Sequence, residues 1–329
     1  MSGRLAAAFA GVLVLVAISF GVLAGTLARP APTPRRVVVT ASPVPRTPTP
    51  TLSEGELFRQ RFTSACATAQ NVWVVTDGGG LLRYDGTAWT QADSTLRTLV
   101  FAACDDGFLY AVGPSGAVLS VDDRARQIRA VDLTTADLYG IAPLPDGALA
   151  VGGTGTVQRL SGGLWQTYAR GIDEDLFAVV AFSGDSAWAV GAGGVSYRLE
   201  TAGWRPVATN VDVPLRAVAG PDVSSVVAVG DRGTIASFAG GRWSSVDSGV
   251  DENLRSIARA RSFAWVVGDK GVVLAVDAAR VRRFDLHTAC NLTRVFSRGD
   301  DVWIVGSDDR GSGVWRLRAD AVAQHWGAC

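Results

Sequence analysis

A chain of 329 residues carrying 31 basic and 31 acidic side chains has no net charge, and 48% of it is hydrophobic. Every acid lies at Glu54 or beyond while five arginines precede it, so the C-terminal body is mildly acidic; that argues against a nucleic-acid binder, which needs a basic face to track phosphates. Two histidines, His287 and His325, and four cysteines with no C-x-x-C pair make a zinc site unexpected, and no metal or cofactor is anticipated.

Residues 1–28 read as a transmembrane anchor or signal segment. From Leu5 to Ala28 the chain runs uncharged between Arg4 and Arg29, long enough to span a bilayer as a helix and longer than the roughly 7–15 apolar residues of a cleaved signal. An anchor is the favoured reading. Cleavage and secretion stay open as the alternative, because Thr26-Leu27-Ala28 has the small residues of a cleavage site. Residues 29–52, dense in Pro and Thr, cannot bury a core and form an extended linker. Arg29, Arg35 and Arg36 after the span, against Arg4 before it, lean toward a cytoplasmic linker. The Pro/Thr stalk and the cysteine usage favour export, and the body is expected outside the cytoplasm, periplasmic or at the cell surface, tethered through the N-terminal helix.

Residues 53–329 are organised by one phrase, aromatic-x-Val-Gly-x-x-Gly-x-Val. It is spelled VWVVTDGGGL from Val72, LYAVGPSGAV from Leu109, ALAVGGTGTV from Ala148, AWAVGAGGVS from Ala187, VVAVGDRGTI from Val226, AWVVGDKGVV from Ala264 and VWIVGSDDRG from Val302. The first-glycine slots fall at 76, 113, 152, 191, 230, 268 and 306, with Thr76 replacing glycine in the first. Apolar residues before the slot read as a strand, the two glycines as the positive-φ positions of a tight turn, and the apolar run beyond as the returning strand. Copy six shows four strands: LRSIA from Leu254, FAWVV from Phe263, GVVLAV from Gly271 and RVRRF from Arg280. Seven such units closing into a ring bury both end faces of the stack, and the expected fold is all-β, a seven-bladed β-propeller of four-stranded blades. Six or eight blades remain open if the first copy or the stretch from Ser53 to Arg61 is misassigned. Large side chains at fixed phase, Trp73, Trp188, Trp265 and Trp303 before the glycine slot and Trp89, Trp165, Trp204 and Trp243 after it, are expected to pack between successive sheets.

Four cysteines in an exported chain favour disulfides, with three connectivities possible. The preferred pairs are Cys66 with Cys104, at nearly matching positions of copies one and two, and Cys290 with Cys329, pinning the C-terminal tail. Free buried thiols are the competing reading.

The stretch VVAVGDRGTIASFAGGRWSSVDSGVDENLRSIA, from Val226 to Ala258, resembles the BNR-type propellers and, within them, the photosystem II assembly factor (Ycf48-like) proteins. The resemblance covers all seven copies. It implies an exported, often membrane-tethered propeller acting as a binding scaffold or assembly factor. The Asp-box of sialidase-like members is worn here to Asp85-Gly-Thr-Ala-Trp89 and Gly240-Gly-Arg-Trp243, and nothing ties this chain to photosynthesis.

An enzyme is not expected. Acids before the inner strands (Asp173, Glu174, Asp175, Asp212, Asp251, Glu252, Asp285) recur at one phase, as on a solvated rim, and G-x-S-x-G, H-E-x-x-H and phosphate-loop motifs are absent. Two functions stand: a protein-interaction scaffold for a membrane-associated partner, and alternatively a glycan-binding or glycan-cleaving propeller. The residue after each inner strand's leading Leu, Tyr139, Phe177, Arg216, Arg255 and Thr293 with Arg294 beside it, breaks the monotony of the repeat. Turns opening on the same face add Asp231, Arg232, Asp269, Lys270, Asp309 and Arg310. Aromatic and arginine side chains dominate binding energy at interfaces, so this face is expected to dock an acidic segment of a protein partner. The competing reading pairs rim arginines with rim acids for solubility.

Overall fold

The computed structural model describes residues 52–94, 97–168, 171–277, 280–318 and 321–329. The N-terminal segment and nearly all of the linker lie outside the described residues, and no described helix is long and apolar enough to cross a membrane. Within the body, strands assemble into seven antiparallel sheets, each of four strands consecutive in the chain. The first strands, Phe62–Ala67, Phe101–Cys104, Leu138–Leu144, Leu176–Ser183, Leu215–Asp222, Leu254–Ala260 and Asn291–Arg298, define blades one to seven. Each first strand lies against those of the blades before and after it, and that of blade seven lies against that of blade one. The ring is therefore closed with seven blades.

The unbroken apolar runs follow from that closure, because a blade is covered on both faces. In blade seven, Val302 and Ile304 pack with Trp265 toward blade six, while Trp303 and Val305 pack with Tyr84 and Trp89 of blade one. Alternation with period two is retained, yet both phases are apolar. The tryptophans bridge sheets as expected: Trp188 meets Trp243 edge to face at 5.4 Å, and their indole N–H groups donate to Val223 O and Ser196 Oγ.

The second glycine of the phrase has the positive φ expected of it, and the first does not. The first is extended: Gly152 has φ −167°, and an added Cβ would sit 2.0 Å from the Asp137 carbonyl oxygen. It is needed for close backbone approach, and the left-handed conformation falls on the third and fourth positions, Thr154 (φ 49°) and Gly155 (φ 64°). Ser115, Arg232 and Lys270 occupy the same left-handed slot as Thr154. This turn latches successive blades together. Thr154 N–H donates to Asp175 Oδ1 at 2.8 Å and Gly155 N–H to Glu174 O at 2.9 Å, both on the segment entering the next blade. The latch repeats as Ser115 N–H to Asp137, Arg232 N–H to Asn253 and Lys270 N–H to Asn291.

Neither end blade exchanges a strand with the other. Closure uses an elongated hairpin in blade seven, Asp301–Asp308 and Gly311–Arg318, whose buried Ser307 and Ser312 hydroxyls lie 2.8 Å apart. Phe62 N–H donates to both hydroxyls, Ser312 Oγ donates to Gln60 O at 2.7 Å, and Ser312 N–H donates to Phe58 O at 2.8 Å. The segment so gripped begins with the short helix Glu54–Leu57, started by a Ser53/Glu56 capping box. Over it closes an aromatic cluster of Phe58, Phe62, Tyr84, Trp89, Phe296, Trp303 and Trp326. Both disulfides form in the preferred pairing: Cys66–Cys104 joins the inner strands of blades one and two, and Cys290–Cys329 holds the tail.

Candidate functional site at the mouth of the ring

The singled-out side chains that come from the inner strands owe their position to β-bulges. In blade four, Leu176 pairs with Gly191 and Ala178 with Val190, leaving Phe177 out of the ladder. Tyr139, Arg216, Arg255 and Thr293, with Thr63 in blade one, are skipped in the same way. A bulge re-aims the residue it inserts, so the second position of the inner strand leaves the inter-blade packing and turns to the end of the channel. Tyr139 and Phe177 meet edge to face with centroids 5.6 Å apart, and the Arg216 guanidinium lies 4.9 Å from the Phe177 centroid. Three blades thus contribute to one continuous stack. Burial, then the charges of Asp175 and Asp137, raise the Tyr139 hydroxyl above its ordinary pKa and keep it a neutral donor.

The charged half of the mouth is paired within itself. Arg216 makes a two-pronged ion pair with Asp231, at 2.9 Å from Nε and 2.8 Å from Nη2. That contact holds the Asp231 carboxyl below the ordinary range and raises the guanidinium. Arg255 engages Asp269 by the same fork, and Asn253 Nδ2 also donates to Asp269. Arg232 pairs with Asp212 at 3.1 Å and Lys270 with Glu252 at 3.8 Å. Arg310 pairs with Asp308. The structure therefore brings Tyr139, Phe177, Arg216, Asp231, Arg232, Arg255, Asp269 and Lys270 to one end of the ring, with the cations already matched to acids.

Arg294 is not part of that face. Thr293 takes the bulge, and Arg294, one residue on, reaches Ala65 O of blade one and Ala102 O of blade two, deeper in the channel. Its contact with Phe101 also escaped the sequence reading. Only the bulge register separates the two positions. A second contact without a sequence signal is Tyr197 to Glu174, 2.7 Å, where burial and then the carboxylate push the phenol up to about 12. Among the described residues, Cys290, Asp308 and Cys329 are the one group close enough to share a metal ion, and two of them are joined as a disulfide.

A closed ring of seven four-stranded blades, with a differentiated mouth built by bulges, is a seven-bladed β-propeller. No known family model matches the chain. It is 33% identical over 97 residues to the immune protein Tsi7 of Pseudomonas aeruginosa, a match spanning 29% of this chain and 31% of that relative. Among solved structures, the WD40 β-propeller domain of Doa1 superposes with TM-score 0.67 at 13% identity, covering 84% of this chain and 98% of that one. YCF48 from Cyanidioschyzon merolae superposes with TM-score 0.64 at 14% identity, covering 82% and 97%. At such identities the likeness establishes the propeller fold.

Proposed function

We propose that this chain is a non-enzymatic scaffold of the BNR/Ycf48-like kind, tethered through Leu5–Ala28 with its ring outside the cytoplasm, and that it binds a membrane-associated protein at the mouth. The observation that carries this reading is the Tyr139–Phe177–Arg216 stack across three blades. A position maintained for ring stability alone has equivalent neighbours in every blade and no reason to change from threonine to aromatic to arginine around the ring. Because Arg216 and Arg255 are already forked to aspartates, the aromatic arc is the better anchor, and the charge pairs set orientation.

Replacing Tyr139 and Phe177 together by alanine is expected to weaken capture of the partner from solubilised membranes by roughly 2–4 kcal/mol while leaving the melting temperature within a few degrees of wild type. Unchanged capture places the site elsewhere; unfolding makes the pair structural. The address has its own test. Protease added to intact spheroplasts should remove the ring, and a ring that survives until lysis lies on the cytoplasmic side.

The glycan-binding alternative is supported by a polar groove of about 770 Å³ lined by Thr209, Asn210, Asp212, Arg232, Ser244 and Asp247 among others. Saturable binding on a glycan array that persists in the Tyr139/Phe177 double variant would favour it over the scaffold.

A further inference from the structure

Arg294 differs from Arg216 and Arg255, the inner-strand arginines at the mouth. Its guanidinium carbon lies 4.1 Å from the Phe101 ring centroid, Nε donates to Ala65 O at 3.3 Å, and Nη2 donates to Ala102 O at 3.2 Å. Arg216 and Arg255 each hold an aspartate, whereas Arg294 has no carboxylate partner among the described residues. Its Nη1 has no hydrogen-bond partner among the described residues, and the residue is partly exposed. A guanidinium carries five N–H groups in a rigid plane; with two directed at carbonyls, the outer Nη1/Nη2 edge remains, and its spacing matches the two oxygens of one carboxylate. Burial lowers the group to about 10, so it is still a cation at neutral pH, and carbonyl dipoles and a ring face are what it meets among the described residues. The two carbonyl contacts explain a clasp between blades seven, one and two. They leave the outer edge unexplained.

We infer that the channel of this propeller is a binding site for a single carboxylate group, received end-on by Arg294 against Phe101. A singly charged planar anion fits better than a phosphate. The Arg294 guanidinium carries one positive charge, which balances one negative charge and not two. The carboxylate is carried either by a free small acid or by an acidic side chain of a polypeptide, and the inference does not depend on the aromatic arc.

The test is a titration of the ¹⁵N-labelled full-length chain with sodium acetate, chloride being exchanged to hold ionic strength constant. The Arg294 Nε–H resonance is expected to shift saturably, with half-saturation on the order of 1–10 mM. Arg294→Lys keeps a cation but loses the two-pronged edge and should bind acetate at least about tenfold more weakly. A linear or absent shift in the wild-type chain overturns the inference, whatever the variant's folding; so does equal saturation in Arg294→Lys. Inorganic phosphate that displaces acetate at lower concentration overturns the carboxylate assignment. An amidated Asp-Glu-Asp peptide saturating at least about tenfold below acetate assigns the group to a polypeptide, and one that saturates no lower assigns it to a free acid.

Discussion

Trp303→Ala is expected to destabilise the ring by about 3–5 kcal/mol, which for a body of this size lowers the melting temperature by roughly 6–15 °C. Trp303 is 1% exposed and sits at the joint between the last blade and the first. It stacks on Trp326 at 5.7 Å with planes 3° apart, lies 6.2 Å from Phe296, and meets Tyr84 of blade one at 5.9 Å. Truncation opens a cavity at the one place where the chain does not continue from blade to blade. Trp303→Phe should cost far less, because it keeps an aromatic face and removes an indole N–H that has no hydrogen-bond partner. Denaturant unfolding of both variants, with hydrogen exchange to locate the opening, checks this. Equal losses in the two variants would show that the ring stack is not what closes the propeller.

Gly155→Ala is expected to be as damaging, by a different route. Its φ of +64° disfavours any side chain, and a Cβ there would lie 1.9 Å from Ile172 O, so the latch to blade four must break or shift. Gly162 supplies the control, since it has a similar φ of +58° with nothing within 4 Å. Gly162→Ala therefore isolates the conformational cost, about 1 kcal/mol, whereas Gly155→Ala adds a backbone collision and the loss of inter-blade hydrogen bonds, about 3 kcal/mol or more in total. Melting temperatures of the two variants within a degree of each other would refute the latch.

The contrast between these glycines marks where sequence reading reached its limit. A G-x-x-G phrase reads as a turn, and it is one. That its first glycine is extended, and serves close approach to the Asp137 carbonyl rather than positive φ, depends on a segment packed against it in space. The mouth shows the same divide. Tyr139, Phe177, Arg216 and Arg255 were legible as departures from the repeat because the leading Leu gives their phase. Arg294 adjoins that phase, and only the bulge at Thr293 decides that it enters the channel instead.

By itself the sequence determined the all-β class, the four strands per blade and the inter-sheet tryptophans, and it made seven blades and the Cys66–Cys104 and Cys290–Cys329 pairs the preferred readings, which the structure then decided. Each is written in a period of about 38 residues whose apolar alternation, glycines and aromatics act within a blade or between neighbours one repeat apart. The tertiary structure alone decided that the mouth's cations are held by Asp231, Asp269, Asp212 and Glu252, that Arg294 lies in the channel without an acid partner among the described residues, and that Ser307 and Ser312 receive Phe62 to close the ring. Those outcomes turn on side-chain direction after a bulge and on contacts between the two ends of the body. A repeat has no local pattern for either: a bulge reverses the face of the next residue, and closure joins the one pair of adjacent blades that are not consecutive in the chain.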